Sequence, residues 1–168
     1  KKIADFIVSY NRPIVTRLDD SVLRIINKKP FFIRRARGFV PTSIQLPRSI
    51  PSTLALGGYL KNTFCITRGD EAFVSQHIGD LKNPETIKFF HDALNQMLKF
   101  LDVKLERIAH DLHPDFHTTT LTKELSLPQF AIQHHHAHLA SVAAEHQLEK
   151  PTLGLALDGY GYGEKGEA

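Results

Sequence analysis

Apolar residues are spaced in two different ways after residue 53, and each spacing predicts one kind of element. Three runs are apolar or alternate with polar residues at every second position, which predicts strands over 54–58, 62–67 and 71–77. Arg68-Gly69-Asp70 separates the last two runs and is typical of a hairpin turn. Asn83-Pro84-Glu85 then starts a predicted helix, because apolar residues recur at helical spacing: Ile87, Phe90, Leu94, Met97, Leu98 and Leu101.

Strand and helix patterns continue to alternate through the rest of the chain. Strands are predicted over 107–112, 130–133 and 153–157, a helix over 117–125, and a second, alanine-rich helix beginning near His134. The order is therefore βββαβαβαβ. A hairpin sheet extended by parallel strands and crossover helices is an α/β fold, and this order matches one lobe of the actin-like ATPase or RNase H-like architecture.

The first 48 residues predict a less complete unit. Residues 3–10 favour a helix that ends at Asn11-Arg12-Pro13, and short extended pieces follow around 14–17, 21–26 and 31–35. These are too few strands for a closed sheet, so we expect the end of a domain whose front is missing from the sequence.

Charge divides the chain at the same place. Residues 1–48 contain 11 Lys/Arg against 3 Asp/Glu, whereas residues 49–168 contain 10 against 15 and hold all ten histidines. A Pro/Ser/Thr-rich connector between Pro41 and Ser52 lies at the change. The sequence therefore predicts two domains of different chemistry, over 1–48 and 49–168.

Four of the ten histidines stand within five positions, in Gln133-His134-His135-His136-Ala137-His138. A purification tag is one interpretation, but this run is internal and interrupted by an alanine. If the helix has begun by His134, then His134 and His138 are four residues apart and project from one face, the spacing that lets two imidazoles share a metal. The alternative is that these histidines are polar residues that satisfy free backbone groups at a helix start.

Two glycine-containing turns follow predicted strands, where this class of fold binds ligands. Gly57-Gly58 precedes Lys61-Asn62, and Asp158 begins a turn that contains Gly159, Gly161 and Gly163. Glycines let a ligand approach the backbone closely, although each turn alone is a weak signal. Asp158 follows a predicted buried strand and is placed to add an oxygen ligand to the two imidazoles. Its alternative role is to cap its own turn.

Three further features bear on ligand binding, redox environment and membrane association. Arg34, Arg35 and Arg37 form either a phosphate or nucleotide site or a solvated basic face. The single cysteine, Cys65, is most simply a small strand residue and fits a reducing compartment. The 168 residues contain neither an apolar run long enough to span a membrane nor a secretory signal.

Several longer strings carry a resemblance to a known family. The chain resembles the HypF carbamoyltransferases of hydrogenase maturation in ALGGYLKNTFC (55–65), SQHIGDL (75–81), DLHPDFHTT (111–119), QHHHAHLAS (133–141) and LDGYGYG (157–163). Two earlier strings resemble the end of that family's YrdC-like domain: NRPIVTRLDDSVLRI (11–25) and IRRARGFVP (33–41). The resemblance implies the end of a YrdC-like domain followed by the first lobe of an actin-like ATPase/RNase H-like (Kae1-like) domain.

The resemblance also implies an activity and a set of sites. In that family the YrdC-like domain makes carbamoyl-adenylate from ATP and carbamoyl phosphate, and the Kae1-like domain transfers the carbamoyl group to the C-terminal cysteine of a partner, HypE. His134, His138 and Asp158 would bind zinc or iron. Lys61, Asn62 and the turn with Gly159, Gly161 and Gly163 would lie near the nucleotide or carbamoyl group, and Arg34, Arg35 and Arg37 would belong to the adenylate-forming side.

Further expectations follow from the same resemblance. A cytoplasmic protein without membrane or nucleic-acid partners is implied, and no catalytic residue is assigned. Because the preceding domains, the second lobe and a later acidic metal ligand of the family are absent, we expect these 168 residues alone to be inactive. Three alternatives stay open: an O-carbamoyltransferase acting on a small-molecule hydroxyl, a non-enzymatic module that binds metal or RNA, and a tRNA threonylcarbamoyl-adenosine-modifying protein.

Overall fold

A computed structural model describes residues 3–167, which form seven strands and three helices. The strands are β1 (Val22–Ile26), β2 (Lys29–Arg34), β3 (Ile44–Ile50), β4 (Thr53–Leu56), β5 (Phe64–Val74), β6 (Arg107–Asp111) and β7 (Gln129–Ile132). The helices are α1 (Pro84–Leu101), α2 (His117–Thr122) and α3 (His134–Glu145). The mixed α/β class predicted from the sequence is confirmed.

Five of the strands form one mixed sheet in the order β3-β5-β4-β6-β7. β5 is antiparallel to both β3 and β4, whereas β4, β6 and β7 are parallel to one another. Parallel neighbours need a crossover connection, and helices α1 and α2 lie in the two connections. A hairpin sheet extended by parallel strands was predicted, and the topology confirms it.

β5 spans eleven residues but contains a turn. The backbone N–H of Ser75 donates to the carbonyl of Phe64 at 2.8 Å, whereas eleven extended residues would span roughly 35 Å. The chain therefore turns back near Gly69, whose φ of 63° lies in the left-handed region that glycine tolerates. This confirms the predicted hairpin, with the first half of β5 pairing with β4 and the second half with β3.

The core lies between the sheet and α1. Asn83 caps α1 by accepting the Thr86 N–H at 2.9 Å, and Pro84 occupies the first turn, as the sequence indicates. The buried core residues are Leu54, Leu56, Phe64, Ile66, Phe73, Ile78, Leu81, Phe90, Ala93, Leu94, Met97, Leu101, Ile108 and Leu121. Among residues 3–167, no helix combines the length and apolar character needed to cross a bilayer.

The first segment differs from the prediction at its start. The expected helix over 3–10 is wrong: this stretch is irregular, and Ile3, Phe6 and Val8 are at least 91% exposed. A short helix gains most of its stability by packing its apolar face, and here no such packing occurs. The predicted extended piece over 14–17 is not a strand either. These residues lie along α1, and the Arg17 guanidinium stacks 4.5 Å from the centre of the Phe89 ring.

The other two extended pieces are confirmed as β1 and β2, a separate antiparallel pair. Asn27 and Lys28 join them with φ of 51° and 63°, which matches the twist of a tight hairpin turn. β3, which runs through the predicted connector and across residue 48, already belongs to the larger sheet.

The predicted strand over 153–157 is also wrong. Leu153, Leu155 and Leu157 are 100%, 78% and 89% exposed, and the segment has no strand conformation. It passes along α3 instead, with Gly154 so close to Leu139 that an added Cβ would stand 2.4 Å from that side chain. A strand depends on an available neighbouring edge as much as on an apolar run, and this segment does not reach one.

Candidate metal centre

α3 begins at the first histidine of the run, which fixes the direction of the side chains that follow. Gln133 is the N-cap, and its side-chain oxygen accepts the His136 N–H at 2.9 Å. His134 and His138 are consequently one turn apart on the same side of α3, with ring centroids 4.9 Å apart. The structure therefore has the common face expected for His134 and His138. At the start of the helix, the free N–H of His136 is satisfied by Gln133 and not by a histidine side chain.

Asp158 faces both imidazoles. One of its oxygens, Oδ2, lies 3.0 Å from His134 Nε2 and 3.4 Å from His138 Nε2. The candidate ligand atoms of the three residues are all within 4.8 Å of one another. Two imidazole nitrogens and one carboxylate oxygen suit zinc or iron, so the donor set fits the expected metal.

The two oxygens of Asp158 have separate partners, which reconciles the two roles considered for this residue. Oδ1 accepts the Gly159 backbone N–H at 2.8 Å and so caps the turn, whereas Oδ2 faces the histidines. The Gly159 hydrogen bond, followed by the charges of His134 and His138, lowers the pKa of Asp158 below its ordinary value. The side chain is thus a carboxylate at neutral pH, the form that binds a cation.

A fourth side chain, Asp111, contacts this cluster from inside the protein. Its Oδ2 lies 2.6 Å from His134 Nδ1, and its side chain is only 7% exposed. Asp111 is the last residue of β6 and pairs with Ile132, the last residue of the parallel strand β7. The carboxyl ends of two neighbouring strands therefore bring Asp111 and His134 together.

A cavity of about 550 Å³ opens beside the cluster. The carboxyl ends of the parallel strands β4, β6 and β7 all contribute to it, through Gly57 and Gly58 after β4, Asp111 at the end of β6, and His134 after β7. A Cβ added to Gly58 would lie 3.7 Å from the His134 ring, so this turn lies directly against the candidate metal ligands. A ligand site at the carboxyl ends of parallel strands is where this architecture places one.

Asn62 holds that glycine turn in shape, whereas Lys61 contacts Asp80. Asn62 is 1% exposed, and its side-chain N–H donates to the Gly58 carbonyl at 2.7 Å. Lys61 is exposed, has a φ of 48°, and donates its backbone N–H to Asp80. Neither residue is among those described as lining the cavity, whereas the Gly57-Gly58 turn that they follow is.

The glycines after Asp158 serve close packing in the structure. Gly161 is buried against His135, and a Cβ there would lie 2.7 Å from that ring. Gly163 packs in the same way against Glu167, while Gly159 is exposed. This turn borders a separate depression with Gln133 and His135, on the other side of the helix start.

The three arginines lie in the first segment, and two of them already have protein partners. Arg35 donates to the carbonyls of Thr42 and Val74, and burial lowers its pKa. Arg37 forms an ion pair with Asp20 at 3.0 Å. Arg34 ends β2 and is partly buried. Within residues 3–167, none of these arginines lines the cavity beside His134.

Sequence reasoning missed Asp111 and the contact between Gly58 and His134. Asp111 carries the same signal that singled out Asp158, a carboxylate where a predicted strand ends. Its importance depends on the pairing of β6 with β7, which spacing along the chain does not give.

Fold and cluster together define a class: an α/β domain with a cluster of two histidines and one carboxylate beside the ends of its parallel strands. Residues 48–145 match the family model described as the HypF Kae1-like domain. The chain belongs to the HypF family.

Individual relatives agree with this assignment. The chain is 52% identical to "Carbamoyltransferase HypF" of Rhizobium leguminosarum bv. viciae over 98% of its length, and 50% identical to "Carbamoyltransferase HypF2" of Cupriavidus necator over 99%. Among solved structures, it is similar to full-length HypF in a phosphate- and nucleotide-bound form, with a TM-score of 0.91 and 44% identity over 98% of the chain. HypF of T. kodakarensis gives a TM-score of 0.84 and 42% identity over 93%.

The match covers only part of each relative. The chain spans 22% and 21% of the two curated proteins and 26% and 21% of the two structures.

Proposed function

We propose that this chain is the metal-binding part of a carbamoyltransferase that acts in hydrogenase maturation. In this proposal the whole enzyme uses ATP and carbamoyl phosphate to make carbamoyl-adenylate and transfers the carbamoyl group to the C-terminal cysteine of HypE. The observation that carries the proposal is the cluster of His134, His138 and Asp158 in a chain whose relatives are named HypF carbamoyltransferases.

His134, His138 and Asp158 would hold a zinc or iron ion through Nε2, Nε2 and Oδ2. Such an ion, when bound, is a Lewis acid that polarises a carbonyl oxygen. The rest of the site comes from the protein. The glycine turn after β4 leaves room for a small carbamoyl group close to the backbone.

The acceptor in this proposal is a thiolate from the partner. Its sulfur forms a bond to the carbonyl carbon of carbamoyl-adenylate, and the bond from that carbon to the phosphate oxygen breaks, so AMP leaves with the electron pair. A thiolate needs no strong general base. The chain's own cysteine does not suit this role, because burial raises the pKa of Cys65 to about 11 and keeps it a thiol at neutral pH.

The polyanionic substrates motivate the remaining assignments. We propose that Arg34, Arg35 and Arg37, in the basic first segment, belong to the adenylate-forming side. Lys61, Asn62, Gly159, Gly161 and Gly163 are proposed to lie near the nucleotide or carbamoyl group on the transfer side. Arg35 already donates to two main-chain carbonyls, and Arg37 pairs with Asp20. A phosphate bound there would use the remaining N–H groups of the two guanidinium groups.

A single substitution tests the metal assignment. In the whole protein that carries this sequence, His138→Ala should lose the bound metal and carbamoyl transfer, while carbamoyl-phosphate-dependent adenylation persists. His146→Ala, at the exposed end of the same helix, is the matched control and should retain both. Elemental analysis measures the metal, and mass spectrometry of HypE measures transfer.

Two results would refute parts of this proposal. Unchanged metal content in His138→Ala would remove the ligand assignment. Carbamoylation of only a small hydroxylated acceptor, when both it and HypE are offered, would replace the protein acceptor by a small molecule.

A further inference from the structure

The buried carboxylate of Asp111 is fully engaged, and each oxygen has its own donor. Oδ1 accepts the backbone N–H of His113 at 2.8 Å. Oδ2 lies 2.6 Å from Nδ1 of His134 and, as a carboxylate oxygen, acts there as the acceptor. His134 Nδ1 is consequently the nitrogen that carries hydrogen.

A neutral imidazole has one N–H and one lone pair. In the metal-free protein Asp158 Oδ2 is also an acceptor for a hydrogen at Nε2, and a bound cation would replace that hydrogen and require the neutral ring. With the remaining hydrogen held at Nδ1, the lone pair of His134 is at Nε2, which faces Asp158 and the candidate metal position. The opposite tautomer would place a hydrogen at Nε2 and prevent ligation. The choice of tautomer is therefore a condition for metal binding, and the hydrogen bond at Nδ1 determines it.

The backbone around Asp111 keeps this carboxylate in place. β6 and β7 pair up to Asp111 and Ile132, and the next N–H, from Leu112, donates to Ile132 at 3.0 Å. Thr119, on α2, closes the loop from the other side, with its hydroxyl 3.2 Å from the Asp111 carbonyl and 2.8 Å from the His113 carbonyl. Asp111 and His134 are thus held by two paired strands and a helix rather than by a free loop.

We propose that Asp111 is a positioning residue for the metal centre: it fixes the Nδ1–H tautomer and the ring orientation of His134 so that Nε2 is available to a divalent cation. This inference rests on the proposed metal site. Asp111 would not contact the cation itself. The affinity for the metal would depend on it because Asp111, at the end of β6, orients the ligand His134.

Asp111→Asn separates this role from simple loop packing. If the new amide turned its oxygen to His134, its NH₂ would face the His113 N–H, donor against donor. The favourable orientation puts NH₂ toward His134, so Nδ1 must accept and the ring hydrogen moves to Nε2. Size and shape are nearly unchanged, but the tautomer is reversed. We expect cobalt(II) or zinc to bind about 10- to 100-fold more weakly.

The experiment compares the wild-type chain, Asp111→Asn and the control Asp115→Asn, which changes an exposed carboxylate on the same loop. Calorimetric titration with zinc gives the dissociation constants. Nitrogen-15 NMR of the metal-free proteins at about pH 9, well above the usual imidazole pKa, gives the tautomer of His134, assigned by a His134→Gln spectrum.

The inference is supported if the wild type and Asp115→Asn show hydrogen at Nδ1 and bind zinc equally, while Asp111→Asn shows hydrogen at Nε2 and binds weakly. Zinc binding by Asp111→Asn at wild-type affinity would overturn it. So would hydrogen at Nε2 in the wild type, a measurement that does not depend on the folding of Asp111→Asn. Failure of the wild type itself to bind zinc, with the Nδ1 hydrogen in place, would instead overturn the proposed metal site.

Discussion

Two regions of this molecule contrast in how they are packed. The inner region, residues 53–122, holds β4 to α2 and contains side chains with no exposed surface, such as Leu54, Ile66 and Ile108. The outer region, residues 129–158, holds β7, α3 and the segment after it. Each of the twelve residues of α3, all of them described by the structure, keeps some exposed surface, and Leu155 is 78% exposed.

The candidate metal centre combines both regions. His134, His138 and Asp158 belong to the outer region, whereas Asp111 belongs to the inner one. The regions are connected by the pairing of β6 with β7 and by the Asp111–His134 contact. Regions with little buried apolar surface open more readily than packed cores. The comparison therefore indicates that the candidate metal ligands lie on a weakly packed element whose position is set by contacts with the packed core.

The largest test of this contrast removes one leucine from each region. Leu54→Ala, at a fully buried position on β4, should lower the free energy of unfolding by about 2–5 kcal/mol, through lost burial and the cavity left behind. Leu155→Ala, the matched control in the outer region, should change it by less than about 0.5 kcal/mol. Urea unfolding followed by circular dichroism measures both. Comparable losses would show that the outer region shares the core.

Sequence patterns predicted the inner region well because its signals are local and agree with one another. Asn83-Pro84 starts α1, the apolar spacing selects its buried face, and Arg68-Gly69-Asp70 gives the turn within β5. The same reasoning failed over 3–10 and 153–157. An apolar pattern identifies the side chains that need to be covered, but whether another element covers them depends on contacts distant in sequence.

The candidate site shows the same limit. The four-residue spacing of His134 and His138 is a local property, so the sequence predicts their common face. Asp111 joins them only through the register of two parallel strands. Twenty-three positions separate Asp111 from His134, and no periodic pattern connects residues at that distance.

A second prediction concerns the alkaline stability of the inner region. Burial raises the pKa of Cys65 from an ordinary 9.0 to about 11, so the folded state favours the neutral thiol. Above pH 9 the thiol ionises in the unfolded chain first. The contribution of Cys65 to stability is therefore complete below about pH 9 and is lost as pH rises through 11, amounting to about 2–3 kcal/mol.

Cys65→Ala isolates this effect, because other groups also titrate in the alkaline range. We subtract the urea unfolding free energy of Cys65→Ala from that of the wild type. This difference should fall by roughly that amount between pH 8.5 and 11, because only the wild type loses stability when the thiol ionises. A difference that stays constant over this range would show that the Cys65 thiol has the same pKa in the folded and unfolded chain.

The smallest effect compares two helix caps. Asn83→Ala removes the acceptor for the Thr86 N–H in α1 and should lower the global unfolding free energy by about 1 kcal/mol. Gln133→Ala removes the corresponding bond to the His136 N–H in α3. If α3 opens independently of the core, this second loss should leave global unfolding nearly unchanged and instead increase amide hydrogen exchange at His136. An equal global loss for both variants would mean that α3 unfolds together with the core, and that the candidate ligands His134 and His138 lie on an element as stable as the strand that carries Asp111.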